Sequence, residues 1–437
     1  MVCKPSKQEK KLTWWQMSFI GVGCVIGTGY FLGSSIAIEK AGFSVLLAYL
    51  TAAIGTWIVY EALANLTAHH PEKGSFRTYA KQAYGPWAGF SNGWVYWTSE
   101  MLIMGSQLTA LAIFAKFWFP GVPIWVSAAF FATLGLAIIL LGVNLVEQME
   151  NLFGIMKAAA IIMFLIIAGM AIAGWIDPTT RSSPSQSFSN SLFPNGGLGL
   201  WVALLYAFYA FGGVEVMGLM AQELKNPKNA PKSGKIMLII LTILYLLSFM
   251  FVLKLVPFSS INPNESPFLT ALNHYELPWI PHLFNAILII AGFSTMVASL
   301  YAVTSMLVTL AEEKDAPTIF AKKRGEVPLP AFCMTAFVVV LSIGVALFLP
   351  EKIFEYMTTA AGLMLLYNWI FILFSYRKLM ASTTFEHIKI ITAFILILFA
   401  VSGTLFDTIS RPGFFVSIGL ICLIAVATFY KVRKAPT

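Results

Sequence analysis

The chain of 437 residues is 58% hydrophobic and 14% aromatic, and only 11% of its residues are charged. Soluble domains carry about 25% charged residues, so this composition excludes a soluble multidomain enzyme and a disordered chain, and it points to a polytopic membrane protein. The net charge of +8, from 28 Lys+Arg against 20 Asp+Glu, clusters in particular loops, where it orients membrane spans rather than meeting nucleic acid.

From the N-terminus, Met1–Thr13 is polar and basic and reads as a cytoplasmic tail, not a cleaved signal. Twelve apolar runs follow, at about 14–38, 44–68, 86–116, 121–143, 150–173, 196–222, 233–256, 281–311, 328–349, 354–376, 388–406 and 413–430. Each is long enough to cross a bilayer, which takes about 20 residues, and all are expected to be helices, because lipid offers no partner to an open backbone. Basic residues concentrate in one alternating set of connections. That set holds Lys4, Lys7, Lys10 and Lys11, then Lys73, Arg77 and Lys81, then Lys225, Lys228, Lys232 and Lys235. It continues with Lys314, Lys322, Lys323 and Arg324, then Arg377, Lys378 and Lys389, and closes with Lys431, Arg433 and Lys434. The asymmetry predicts that both termini are cytoplasmic. The longest outer connections, about 174–195 and 257–280, are too short for a soluble catalytic domain. The expected layout is a tail over 1–13, a ten-helix core over 14–376, two further helices over 377–430 and a tail over 431–437.

Two spans are interrupted by glycine. The first carries Gly21, Gly23, Gly27, Gly29 and Gly33, with Ile26-Gly27-Thr28-Gly29 its weakest point as a helix; the sixth carries Phe211-Gly212-Gly213-Val214-Glu215. Paired interruptions five spans apart point to a 5+5 inverted-repeat transporter with two spans left over. An unwound turn frees backbone N–H and C=O groups. A half-helix N-terminus can then hold a carboxylate and opposing carbonyls an ammonium group, the two charges of an α-amino acid. Glycines that only let helices pack closely are the plainer reading of one interruption, and less so of a matched pair. The string Gly21-Val22-Gly23-Cys24-Val25-Ile26-Gly27 is a poor dinucleotide fingerprint, because no strand precedes it.

Four ionisable residues fall within spans: Glu61, Glu100, Lys157 and Glu215. Each is expensive in lipid and should face the bundle interior. Glu215 follows the second interruption directly, placed to strap freed backbone donors or to take up a proton. Lys157 stands beside the first interruption, where an ammonium group can replace a coupling sodium ion, or else it snorkels to the inner surface. Glu61 is expected to pair with a basic residue of the Lys73–Lys81 loop. Glu100, Met104 and Gln107 share one face of the third span and can line a cavity. Tyr209 is placed to close over a substrate. The cysteines Cys3, Cys24, Cys333 and Cys422 form no metal or redox spacing, and no nucleophile–base pattern points to an enzyme. No metal or cofactor is expected.

The sequence resembles the amino acid–polyamine–organocation superfamily, and within it the bacterial amino acid permeases, from about Leu12 to about Leu379. The resemblance rests on Gly23-Cys24-Val25-Ile26-Gly27-Thr28-Gly29-Tyr30-Phe31-Leu32-Gly33, His70-Pro71-Glu72-Lys73-Gly74-Ser75-Phe76, Gly85-Pro86-Trp87-Ala88-Gly89-Phe90 and Gly93-Trp94-Val95-Tyr96-Trp97. Further along, Phe211-Gly212-Gly213-Val214-Glu215, Glu223-Leu224-Lys225-Asn226-Pro227 and Leu310-Ala311-Glu312-Glu313-Lys314-Asp315-Ala316-Pro317 continue it in order. The resemblance implies an all-α LeuT-type fold with discontinuous helices 1 and 6 and alternating access. It implies substrate carboxylate at Gly27, Thr28 and Gly29, and substrate amine at carbonyls near Ile26, Phe211 and Gly212. By the same resemblance Tyr209 is a gate, and Lys157 stands in the place of sodium. The chain departs from many such permeases at Glu61, Asn65, Gln107, Val297, Ala298 and Ser305. The more apolar walls lead us to expect proton symport of a neutral, bulky aliphatic or aromatic amino acid across a cytoplasmic membrane. A sodium-independent exchanger, a cationic amino acid permease favoured by Glu100, and a transporter-like nutrient receptor are the alternatives.

Overall fold

The computed structural model of the protein describes residues 12–72, 74–141, 143–178, 192–221, 224–323, 327–348, 352–380 and 383–434. Most of the expected N-terminal tail, with Cys3 and its four lysines, lies outside the described residues, as do Lys73, Arg181, Glu223, Arg324 and the end of the C-terminal tail. Seventeen α-helices are described: α1 (Trp14–Val25), α2 (Thr28–Phe31), α3 (Gly33–Ala41), α4 (Val45–His69), α5 (Phe76–Tyr84), α6 (Pro86–Ala115), α7 (Ile124–Leu141), α8 (Val143–Ile172) and α9 (Gly196–Ala210). After them come α10 (Val216–Met220), α11 (Ala230–Leu255), α12 (Pro267–Asn273), α13 (Ile280–Glu312), α14 (Leu329–Phe348), α15 (Ile353–Leu379), α16 (Thr384–Gly403) and α17 (Ser410–Lys434). No strand occurs among the described residues, only two isolated bridges.

Among the described residues, ten helical stretches are long and apolar enough to cross a membrane. The two interrupted spans do not stand there as separate crossings: the second half of the first continues with α4 in one stretch, Thr28–His69, and the sixth is left as the shorter Gly196–Ala210. The first is split into α1, α2 and α3, and the sixth into α9 and α10. Two short helices were not anticipated: α5, which lies in the basic loop, and α12, in the 257–280 connection. Helix α8 also starts seven residues ahead of the expected 150. Start signals are local. Proline stands in the first turn of α6, α11, α12 and α13, where its missing N–H costs nothing. At α16, Thr383 N–H donates to Glu386 (2.8 Å) and Glu386 N–H donates to Thr383 Oγ1 (3.4 Å), a reciprocal cap.

The outward faces carry large apolar side chains such as Leu141, Ile155, Phe348 and Val426, as lipid requires. Packing inside is close. A Cβ on Gly199 of α9 would lie 2.1 Å from the Lys40 carbonyl of α3, and one on Gly23 would lie 2.8 Å from the Gly154 backbone.

Helix α4 separates two polar clusters at the ends of the bundle. At its N-terminal end, Lys40 pairs with Glu355 (2.9 Å) and Asp407 (3.1 Å), and Tyr206 OH donates to Glu355 (3.1 Å). Beyond its C-terminal end, Arg77 of α5 pairs with Glu313 and Asp315, Lys81 with Glu313, and Lys431 with Asp315. Lys73 of the loop expected to hold Glu61 lies outside the described residues, and Glu61 pairs with neither Arg77 nor Lys81 of it. It binds Lys389 of α16 at 2.9 Å, because α16 lies along α4 there while Arg77 and Lys81 are taken by Glu313.

Burial alone would push the Asp407 carboxyl up, but the Ser410 hydroxyl, the Lys40 ammonium and the Ser410 N–H together hold it below the usual carboxylate range. Glu313 is likewise held low: burial opposes its charge, and Arg77 and Lys81 outweigh that cost. A depressed carboxylate contributes stability above its unfolded pKa and loses it as pH falls. The melting temperature in detergent is therefore expected to fall on acidification below the ordinary carboxylate range, and less steeply in Asp407→Asn. Gly199→Ala forces the Lys40 backbone aside. It is expected to cost about 1–3 kcal/mol, read as a lower melting temperature at constant pH.

Candidate substrate site

Backbone dihedrals place the first interruption at two extended residues, Ile26 (φ −68°, ψ 109°) and Gly27 (φ −149°, ψ −160°). The chain re-enters a helix at Thr28, so the N–H groups of Gly27, Thr28 and Gly29 have no partner among the described residues, while Gly27 C=O accepts from Tyr30 and Phe31. On the other side of the break, the carbonyls of Val25 and Ile26 accept no bond from a described residue. Donors therefore face one way and acceptors the other across a two-residue gap. Thr28 Oγ1 is also buried without a described partner.

The second interruption runs over Phe211–Glu215 as consecutive turns. Gly213 has φ +99°, a conformation open to glycine and strained for other residues. It also lies against the first interruption, where a Cβ would be in ordinary contact, 3.6 Å from Cys24 C=O and 3.7 Å from Val25 Cα. The two breaks thus meet across one glycine. The Glu215 carboxylate accepts from Gly213 N–H (3.2 and 3.3 Å) and from Trp369 Nε1–H of α15 (3.2 Å), and its own backbone N–H also bonds it.

Other elements close around this point. Tyr209, six residues ahead of Glu215, lies over Gly29: a Cβ on Gly29 would come within 2.9 Å of its ring. The Tyr209 hydroxyl is joined to Ser106 of α6 at 2.6 Å. Thr295 of α13 approaches Gly27, and Gly292 lets Thr28 and Leu111 come close. Lys157 of α8 is 1% exposed and donates to Gly23 C=O at 3.1 Å, so it does not snorkel to a surface. Glu100, Met104 and Gln107 are all buried on one face of α6, and Gln107 Oε1 has no described partner. Glu100 lies within electrostatic reach of Tyr96 and Ser299.

The structure therefore gathers Ile26, Gly27, Thr28, Gly29, Tyr209, Phe211, Gly212 and Glu215 at one meeting of two broken helices, with Lys157 behind the first. Ser106, Thr295, Ser299 and Trp369 were not singled out in the sequence. Each is a common residue in an apolar helix, far along the chain from the group it touches, and no local pattern marks it. No group of three or more His, Cys, Asp or Glu that could hold a metal ion occurs among the described residues, and no disulfide joins Cys24, Cys333 or Cys422 among them.

Tyr209→Phe removes the bond to Ser106 and leaves the ring on Gly29. It is expected to cost about 0.5–1.5 kcal/mol of stability. Gly29→Val sets a branched side chain against that ring. It is expected to abolish thermal stabilisation by substrate in a protein that still elutes as a folded species.

Comparison with known proteins agrees with this architecture. The family described as "Amino acid permease" matches residues 16–431. The chain is 54% identical over 432 residues, covering 99% of it and 97% of the relative, to the uncharacterized transporter YcgH of Bacillus subtilis (strain 168). It is 33% identical over 373 residues to the aromatic amino acid transport protein AroP of Corynebacterium glutamicum, covering 83% of this chain and 80% of that one. The AroP protein of Escherichia coli (strain K12) is 30% identical over 370 residues, with the same coverage. The chain belongs to the amino acid permease family of the amino acid–polyamine–organocation superfamily: it is a multi-pass membrane transporter and not an enzyme.

Proposed function

We propose that the protein takes up a neutral amino acid with a bulky, aromatic side chain across the cytoplasmic membrane, coupled to protons and independent of sodium. The observation that carries this reading is the meeting of the two interruptions, where Gly213 abuts Cys24 and Val25 and the Tyr209 ring covers Gly29. The free N–H groups of Gly27, Thr28 and Gly29 suit the α-carboxylate, and the Thr28 hydroxyl adds a donor. The carbonyls of Val25, Ile26, Phe211 and Gly212 suit the α-ammonium group. A zwitterion thereby replaces the backbone partners that the breaks took away, and transport can proceed without a charged side chain gripping either end of it.

The side-chain preference is supported by apolar neighbours, Leu111 beside Gly292 and Leu365 beside Gly212, and by the aromatic amino acid transport that names the AroP relatives. Sodium independence is supported by Lys157, whose ammonium group already takes the Gly23 carbonyl. A fixed positive charge there disfavours a second cation at the same place. We read the chain as twelve crossings, ten of them in a 5+5 inverted repeat, with both termini cytoplasmic. Alternating access then consists of the half-helices α1–α3 and α9–α10 tilting around the breaks. Glu215, held by three N–H donors, straps the second break through that motion, and Lys157 braces the first.

The test is uptake by empty, sodium-free proteoliposomes with an imposed inward proton gradient. Labelled phenylalanine, tyrosine, tryptophan, leucine, lysine and arginine are each offered. Accumulation of the aromatic amino acids that collapses with a protonophore is expected. Uptake that appears only after the lumen is preloaded with an amino acid would make the protein an exchanger. Preference for lysine or arginine would overturn the neutral assignment and turn attention to Glu100 as a ligand for the substrate's side chain.

A further inference from the structure

Gln107 stands on α6 next to Ser106 and one turn ahead of Leu111. It is 7% exposed, and its side-chain oxygen Oε1 is buried without a hydrogen-bond partner among the described residues. An amide oxygen accepts and never donates. Leaving it buried and unpaired costs more free energy than a made hydrogen bond contributes. Glu215, Lys157 and Tyr209 all have partners at the breaks; this oxygen does not.

The seam between α6 and α13 fixes its level in the bundle. The two helices run antiparallel, tied by Asn285 Nδ2 donating to the Phe114 carbonyl at one end and Trp97 Nε1 donating to the Val303 carbonyl at the other, both at 3.1 Å. Between these ties, a Cβ on Gly292 would meet both Leu111 and Thr28. One turn from that level toward the Trp97–Val303 tie, α6 reaches Gln107 and α13 reaches Thr295. Thr295 is the residue that a Cβ on Gly27 would meet. Gln107 therefore lies level with the first break. On its other side, Ser106 holds the Tyr209 ring that covers Gly29.

The hydroxyl donors of that neighbourhood are already committed. Ser106 Oγ donates to the Ile103 carbonyl (2.9 Å), which leaves the Tyr209 hydroxyl to donate to Ser106 Oγ (2.6 Å). Thr295 Oγ1 donates within its own helix, to the carbonyls of Ala291 (3.2 Å) and Gly292 (3.0 Å). Thr28 Oγ1 has no described partner, and as a donor it suits the carboxylate end of a zwitterion. The ammonium end is matched by the carbonyls of the breaks. What remains for Gln107 is a donor on the substrate's side chain.

We propose that Gln107 selects, among aromatic amino acids, those whose ring carries a hydrogen-bond donor: tryptophan through its indole N–H and tyrosine through its phenol O–H, over phenylalanine. The inference rests on the aromatic reading above and deepens it. A phenylalanine ring excludes water from the Gln107 oxygen and gives it nothing in return. An indole N–H or a phenol O–H answers it. Sites built around a substrate donor reject the analogue that lacks it strongly, because the protein's own polar group is then left unpaired.

The experiment measures competition against counterflow of labelled phenylalanine in proteoliposomes without a proton gradient, so that neither symport nor exchange decides the readout. One probe pair is tryptophan and β-(3-benzothienyl)alanine, which keeps the ring outline with sulfur in place of the indole N–H. Tyrosine and phenylalanine form the second pair. In wild type, the donor-bearing member of each pair is expected to compete about tenfold better, corresponding to about 1.4 kcal/mol. In Gln107→Met, which keeps the length of the side chain and removes the amide oxygen, both ratios are expected to fall to near one. Equal competition within each wild-type pair overturns the proposal and leaves the aromatic reading standing, and this arm needs no variant to fold. Ratios that stay at tenfold in Gln107→Met overturn it as well, because another group then reads the donor. A Gln107→Met protein that binds all four probes more weakly by one common factor also overturns it, since Gln107 then holds a part that the probes share. A wild type that carries lysine or arginine and no aromatic amino acid removes the aromatic reading itself, and the inference with it.

Discussion

Everything in this protein turns on one demand: a backbone polar group away from water must find a partner. Most of the chain meets it with uninterrupted helix, which closes its own hydrogen bonds. Two places do not. At Ile26–Gly27 and at Phe211–Glu215 the helix opens, and the freed N–H and C=O groups are held in a buried region. Each unsatisfied group of this kind is worth about 1–3 kcal/mol. The surrounding structure answers part of that deficit and leaves part of it open, and the open part is what a zwitterion can fill.

The part that is answered is answered by side chains from distant segments. Glu215 takes the Gly213 N–H, and Trp369 of α15 fixes the carboxylate from its other side. Lys157 of α8 takes the Gly23 carbonyl, and Tyr245 of α11 donates to the Ala210 carbonyl. The second break is therefore secured by the scaffold helices rather than by its own turn. Glycine matters here in two ways: Gly213 takes a backbone turn strained for other residues, and Gly29 lets the Tyr209 ring come against the first break. The same economy sets the two ends of the bundle, where Lys40 gathers Glu355 and Asp407, and Arg77 gathers Glu313 and Asp315. Those clusters join segments far apart in the chain.

Charge within the bundle divides by the company it keeps. Lys157 and Glu215 face backbone groups and act on the breaks. Glu100 is buried on α6, and Glu61, closer to an end, meets Lys389. Four residues that look equivalent in the sequence, each an ionisable group in an apolar run, so come to have different physical situations. Their helix and depth were legible, because apolar length and basic loops frame every span. Their partners were not. The Glu61 pairing with Lys389 spans more than three hundred residues, and its expected partners near Lys81 are drawn away by Glu313.

The sequence by itself determined the class of protein. A composition poor in charge and rich in apolar runs permits little besides a helical bundle in lipid, and glycines at Gly27 and Gly212–Gly213 mark where helix is weakest, because glycine gains least from it. The ordered motifs likewise identified the family, since they are read residue by residue along the chain. Only the tertiary structure decided that the two weak points touch, that Tyr209 is tied to Ser106, that Glu215 is strapped by Trp369, and that Glu61 meets Lys389. The reason is physical. Backbone propensity and hydropathy act over neighbours in sequence. Hydrogen bonds between buried side chains depend on which helix faces meet, and that is settled by packing the whole bundle at once.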